Sequence, residues 1–250
     1  MRRLYANAQA WWRHPAFNHG VRDMAVVLPG VAAWGLMTGV AMVQSGLSPF
    51  QAVVMSLLVF AGSAQLAAMP LIAAAAPVWV ILATSFCVNL RFVVFSAHMR
   101  PYLMHLPSRW RLGHGYLIGD FSYVLFTKNY HHPAVDESGR REQMAYLSGS
   151  TLCNWVGWQG SNLLGIALAH AIPTHWGLGF AGIMALLGVG GSLASSLLGR
   201  VSAGVAGLAA VAAYALPFKL NIVVAIAAAV ALCLMLEHLQ PPAPPKESPA

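Results

Sequence analysis

The most constraining feature of this sequence is a long interval without charge. Between Asp23 and Arg91 the chain has 67 consecutive residues without Asp, Glu, Lys, Arg or His. A water-soluble domain needs charged surface side chains in every such interval, whereas the hydrocarbon core of a bilayer excludes them. Only 8% of all residues are charged and 58% are hydrophobic, against about 25% charged in an average soluble domain. The sequence therefore predicts a membrane protein.

The apolar stretches predict an all-α, polytopic membrane protein with about seven transmembrane helices. The predicted spans are 24–45, 50–69, 77–98, 142–169, 177–198, 201–216 and 219–237, with a shorter apolar stretch at 115–127. They form a single transmembrane domain, residues 23–238. We expect a basic, aromatic segment on the membrane surface before it, 1–22, and a disordered, proline-rich tail after it, 239–250.

The distribution of Lys and Arg conflicts with a simple serpentine of these spans. Basic residues concentrate near the N-terminus and in two loops, 100–114 and 128–141, and basic loops favour the cytoplasmic side. With a cytoplasmic N-terminus, three full crossings before Arg100 place the first loop outside. The conflict disappears if residues 50–76 form a broken segment that enters the membrane and returns, and if 115–127 also fails to cross. The re-entrant arrangement and a serpentine of seven or eight helices are both open at this point.

Small residues at helical spacing predict close helix–helix packing. Gly35 and Gly39 form a GxxxG pair. Four further glycines lie in the span 142–169, which also contains several polar residues: Gly149, Gly157, Gly160 and Gly165.

Several classes of function find no support in the sequence. The net charge is +7, but the basic residues lie at span ends and in loops, which fits membrane orientation better than nucleic-acid binding. Cys87, Cys153 and Cys233 lie in apolar segments without CxxC or Cys/His metal spacing. We therefore expect lipid around the chain and no metal, soluble cofactor or nucleic acid.

The first polar motif inside an apolar segment is FAGSAQ, residues 60–65. Gly62 and Ser63 allow a helix to loosen and expose backbone groups, and Gln65 adds an amide. Such an opening can hold the ammonium and carboxylate groups of a zwitterion. The alternative is a packing notch in which Ser63 bonds its own helix.

The second motif is VNLRF, residues 88–92, which carries Asn89 and Arg91. An arginine inside a span costs about 2.5 to 3.5 kcal/mol on insertion scales, so it normally faces a polar partner or a wet cavity. Arg91 either binds a carboxylate of a ligand or forms an ion pair with Asp120 in YLIGDFSY, residues 116–123. Asp120 could instead cap a helix at the interface; if it is only partly paired, it is a candidate for proton coupling.

The third motif is a polar helix face in the span 142–169. Ser150, Asn154 and Ser161 recur at helix-compatible spacing, which makes them candidates to line a path. Interhelical hydrogen bonding is the alternative for each of them.

In this order, GLSPFQAVVMSLLVFAGSAQ from Gly46, CVNLRF from Cys87 and YLIGDFSYVLF from Tyr116 resemble the AzlC family of branched-chain amino acid permeases. The resemblance extends over about 17–237. It implies a multi-pass protein of the bacterial inner membrane with a cytoplasmic N-terminus, not an enzyme. Such a protein exports leucine, isoleucine and valine, with methionine as a further candidate, together with a small membrane protein of the AzlD type.

The resemblance also implies roles for individual residues. The positions that match the family's pattern are Gly62, Ser63, Gln65, Asn89 and Arg91 for substrate binding, and Asp120 as the partner of Arg91. One position departs from the pattern. Gly179 stands in GLGF where an Asp is expected, which weakens any proton-coupling role assigned by analogy.

Two other classes of function are less consistent with the sequence. An intramembrane hydrolase could use Ser150, but His170 lies about 30 Å further along a straight helix at about 1.5 Å per residue. A non-transporting scaffold needs small-residue faces but no arginine inside the membrane.

Overall fold

The structure, a computed structural model, describes residues 11–171 and 197–215 and isolated helical positions between 224 and 235. The chain divides into two compact units, Met1–Leu193 and Ala194–Ala250. In the described residues all regular secondary structure is helical, which confirms the predicted fold class for this part. The helices are α1 (Pro15–Gln44), α2 (Pro49–Val59), α3 (Gly62–Ala73), α4 (Val78–Leu103), α5 (Ser108–Leu117), α6 (Asp120–Asn129), α7 (Glu137–Ala167) and α8 (Leu197–Ala212).

Two described helices, α1 and α4, are long and apolar enough to cross a membrane. Their 30 and 26 residues correspond to about 45 and 39 Å, against about 30 Å of hydrocarbon. α7 has 31 residues but a more polar sequence. The count of seven spans stays a prediction, as does the single domain 23–238. The expected spans 177–198 and 219–237 lie almost entirely outside the described residues, as do residues 1–10, Gly179, Cys233 and the tail 239–250.

α1 and α7 lie side by side and run in the same direction. Their contacts advance in step: Phe17 lies against Gly149, Leu28 against Gly157 and Leu36 against Gly165. At the far end Gln44 Nε2 donates a hydrogen bond to the Ala169 carbonyl at 3.0 Å. If two helices cross a membrane in the same direction, the chain that connects them must itself cross the membrane an odd number of times.

Glycines allow this close approach, as the sequence predicts. A methyl group added at any of five predicted positions would collide with the facing helix: Gly35, Gly39, Gly149, Gly157 and Gly165. At Gly160 none of the residues that the structure describes would lie within 4 Å of an added methyl group, so close packing there stays a prediction. The backbones of α1 and α7 therefore touch over most of their length.

α4 runs opposite to α1 and α7. Near its end, Met99 packs in one cluster with Trp11, just before α1, and with Tyr146 early in α7. Near its start, Ile81 packs in another cluster with Met42, close to the end of α1. α4 is thus the single long return between the two parallel helices.

α2 and α3 form a helical hairpin that starts near the end of α1 and returns to it. Ala52 of α2 and Met69 of α3 both belong to the cluster at the end of α1, whereas Phe60 packs against the cluster halfway along α1. At the tip Phe60 adopts a left-handed backbone with φ of 39°. Helices of 11 and 12 residues are about 17 and 18 Å long, too short to cross. The break expected in 50–76 is confirmed, and the continuous span 50–69 is wrong.

α5 and α6 form a second hairpin that enters from the opposite end. Trp110 of α5 and Tyr130 just after α6 pack against the cluster at the start of α1. Phe121, in the first turn of α6, belongs to the cluster halfway along α1. Neither short helix crosses, so the basic loops 100–114 and 128–141 share the end where α1 begins. The opposite end, residues 45–48 and 74–77, contains no charged residue.

Candidate functional site

The tips of the two hairpins meet beside Arg91, at the middle of α4. Tyr116, near the end of α5, donates from its hydroxyl to the Leu57 carbonyl at 2.5 Å, and its ring lies 5.7 Å from that of Phe60. α3 begins at Gly62 and α6 at Asp120, and both starts border the same cavity. Helix N-termini carry unpaired N–H groups and partial positive charge. The junction therefore favours a negatively charged group.

Arg91 connects the two hairpins. Its Nη2 donates to Ser63 Oγ at 2.5 Å and lies 3.1 Å from Asp120 Oδ2. The Arg91 and Asp120 side chains are 22% and 14% exposed. The guanidinium carbon lies 5.0 Å from the centre of the Phe92 ring, a cation–π distance. Arg91 and Asp120 thus form an ion pair that balances two costly charges at membrane depth.

A cavity of about 40 Å³ lies at this junction. Its polar side chains are Arg91, Asp120 and Asn154. Its large apolar side chains are Val31, Trp34, Phe60, Phe92, Phe121 and Trp158. One liquid water molecule takes about 30 Å³ and ligand pockets hold about 300 to 1,000 Å³. The cavity therefore has room for water but not for an amino acid, and in this sense we call the site closed.

A larger cavity of about 650 Å³ lies along the second half of α4 and beside α5. Arg100 and Arg111 line it, and Phe92 lines both cavities. Phe92 therefore separates the Arg91 junction from a space on the side of the basic loops.

The residues predicted for substrate binding divide into two groups. Gly62 and Arg91 line the small cavity, and Ser63 is held next to it by Arg91. Gln65 is fully buried deeper in α3, where its Nε2 donates to Met42 Sδ at 3.5 Å. Asn89 lies two residues before Arg91, about 200° around the helix, and does not line the cavity.

Of the three candidates on α7, only Asn154 lines the cavity. Ser150 and Ser161 instead bond their own helix, with hydroxyls donating to the carbonyls of Leu147 at 3.1 Å and Trp158 at 3.0 Å. Ser161 also lies against Gly35. Both serines therefore lie where α7 packs on α1, and their path-lining role stays a prediction.

Sequence reasoning did not place Trp34 and Trp158 in the wall of the cavity, and it gave a helix start at Asp120 only as one alternative. One signal for that start was available, since Gly119 directly precedes the acidic Asp120, an arrangement typical of a helix start. Trp34 and Trp158 carry no such signal, because their position depends on which helices meet.

The sequence profile of the AzlC family, described as AzlC protein, matches residues 26–172. The match covers more than half of the chain and includes α4, both hairpins and all residues of the small cavity. It is shorter than the expected 17–237. No curated protein and no solved structure matches the chain.

Proposed function

The chain belongs to the AzlC family of transport-related membrane proteins, and on that premise we propose that it is the large component of an exporter of branched-chain amino acids. Its substrates are leucine, isoleucine and valine, with methionine as a further candidate. It carries them out of the bacterial cell across the inner membrane, with its N-terminus in the cytoplasm.

The observation that carries this proposal is the Arg91–Asp120 pair inside a closed cavity with aromatic walls. An amino acid has a carboxylate, an ammonium group and a side chain. Arg91 and the uncapped first turn of α3 suit the carboxylate, and Asp120 suits the ammonium group. The apolar wall suits a branched aliphatic side chain, because it offers no polar partner except near the charged pair.

The pair also suggests how the site avoids an unbalanced charge when it is empty. Without substrate, Arg91 and Asp120 satisfy each other at 3.1 Å. A bound zwitterion can exchange partners with both residues, so that each buried charge keeps an opposite charge nearby. Because the closed cavity is too small for an amino acid, exchange requires one hairpin tip to withdraw.

A small membrane protein of the AzlD type is the proposed companion. Val78, Leu82 and Phe86 on α4 are each more than 60% exposed. Only 11% of the most apolar 18-residue stretch of α4 is buried. A companion helix or lipid acyl chains would cover this apolar surface.

The test is efflux of leucine and valine from bacterial cells loaded with dipeptides that contain them, with and without the companion. Arg91→Ala and Ser63→Ala are compared with the unmodified chain after normal membrane insertion has been verified. We expect efflux only when both proteins are present, and its loss in Arg91→Ala. No efflux from correctly inserted protein would contradict the proposal, and so would full activity of both variants.

A further inference from the structure

We propose that Trp158 is a substrate-binding residue, which fills the site in the closed state and donates a hydrogen bond to the substrate's carboxylate when the site opens. The inference rests on the proposed function, because it concerns the same cavity.

The first observation is the position of the indole ring. Trp158 lies directly against the tip of the α2–α3 hairpin, since a methyl group added at Gly62 would collide with its Cη2 atom. The ring of Trp34 packs edge-on against it, with centroids 5.8 Å apart. Trp158 thus closes the space between the hairpin tip and α1.

The second observation is an unused donor. Trp158 is 6% exposed, and its Nε1 is buried without an acceptor among the residues that the structure describes. Buried tryptophan N–H groups usually find a partner, because an unpaired one costs free energy. An acceptor that is present only part of the time, such as a substrate, accounts for this donor.

The third observation is an excess of donors around the same cavity. Arg91 Nε is also buried without an acceptor in the described part of the chain, and α3 begins without a side-chain cap. Asp120 is the only anionic side chain that lines the cavity there. Donors in excess favour a ligand that brings acceptors, and a carboxylate brings two oxygens.

The volume of the cavity connects binding to movement. About 40 Å³ cannot hold an amino acid, whereas displacing an indole frees space comparable to an aliphatic side chain. Because the ring touches Gly62, its displacement also releases the tip of the α2–α3 hairpin. Substrate binding and the opening of this hairpin therefore depend on one side chain.

The experiment measures leucine binding to the full-length protein purified together with its companion. Trp158→Phe keeps an aromatic ring and removes the N–H, and Trp12→Phe, at a 60% exposed position, is the matched control. We expect Trp158→Phe to weaken leucine binding about ten-fold or more, the usual effect of losing a hydrogen bond to a charged group, and Trp12→Phe to leave it unchanged. 3-Methylbutylamine, which has the ammonium group and side chain of leucine but no acceptor in place of the carboxylate, is measured in parallel and should bind Trp158→Phe and the unmodified protein equally.

The outcomes separate this inference from the proposed function. If the unmodified protein binds no leucine, the proposed function fails and the inference fails with it. If leucine binds equally to the unmodified protein and to Trp158→Phe, only the inference fails. Equal weakening of leucine and 3-methylbutylamine would also overturn it, because Trp158 would then act on the shape of the site and not on the carboxylate.

Discussion

Arg91 and Asp120 place two opposite charges at the depth of the membrane core, where a charge without a partner is expensive. In their 3.1 Å contact each residue neutralises the buried charge of the other. A loss of activity in either single variant would therefore mix two causes, a damaged fold and a damaged binding site. Removing both charges together separates these causes, since replacing a buried pair by apolar side chains is often neutral for stability.

We predict that Arg91→Met and Asp120→Leu each destabilise the protein, by about 3 to 5 kcal/mol, because each leaves one buried charge unpaired. The double variant should recover most of that stability and still fail to export leucine. Thermal unfolding in detergent and efflux from cells measure the two properties. A double variant that is as unstable as the singles, or one that transports, would contradict the assignment.

The sequence reveals this pair because a charged residue within an apolar stretch can be recognised without knowledge of the fold. Arg91 stands out after 67 residues without charge, and Asp120 is the nearest acid in an apolar setting. Trp158 is one of eight tryptophans, and nothing in its neighbours distinguishes it. Its importance arises from contacts with Gly62 and Trp34, which lie on other helices.

At the scale of elements, the parallel pair α1 and α7 forms the frame on which the hairpins rest. The two backbones touch because glycines of each helix face carbonyl groups of the other helix. Gly39 of α1 faces the Asn162 carbonyl, and Gly165 of α7 faces the Leu36 carbonyl. The far end of α6 is also fixed to this frame. Asp23 of α1 accepts hydrogen bonds from Tyr146 at 2.6 Å and Asn129 at 3.2 Å. Asp120 and Asn129 therefore anchor opposite ends of a ten-residue helix.

We predict that Gly165→Val destabilises the protein and that Gly160→Val does not. The new side chain at 165 meets the backbone of Leu36, which cannot rotate away, whereas at 160 it meets none of the residues described in the structure. Overpacking costs about 1 to 3 kcal/mol and more against backbone, and the melting temperature falls by about 2 to 4 °C per kcal/mol. Melting curves of both variants in one detergent provide the measurement. Equal losses would mean that the valine side chain itself, and not the close approach of α1, lowers the stability.

The sequence predicts the elements unevenly. The break between α2 and α3 is visible in the sequence for two reasons. Gly62 and Ser63 interrupt an apolar stretch, and a full crossing by that stretch would place the basic loop 100–114 outside the cell. The α5–α6 hairpin is visible only as a stretch too short to cross. The parallel packing of α1 on α7 is not visible at all, because glycine spacing indicates that a helix packs closely but not against which neighbour.

At the scale of the whole Met1–Leu193 unit, two hairpins enter from opposite ends and meet at the middle of a long helix. Broken helices at membrane depth are tolerated where they border a cavity, and transporters build binding sites from them. We expect each tip to close the junction towards its own end, so that withdrawal of one tip would expose the site to one side only. This arrangement suits alternating access, and it depends on both hairpins returning to the side from which they came.

The last prediction tests that dependence by labelling single cysteines from outside the cell. After the three native cysteines have been replaced, Ser45→Cys and Ala74→Cys flank the α2–α3 hairpin, and Ser108→Cys and His131→Cys flank the α5–α6 hairpin. We expect a membrane-impermeant maleimide to label the first two in intact cells and the last two only after lysis, because every basic loop described in this unit lies at the end where α1 begins, and basic loops favour the cytoplasmic side. Labelling of Ser45→Cys but not of Ala74→Cys would mean that residues 49–73 cross the membrane. The tips would then not meet from opposite sides, and the closed cavity at Arg91 would need a different explanation.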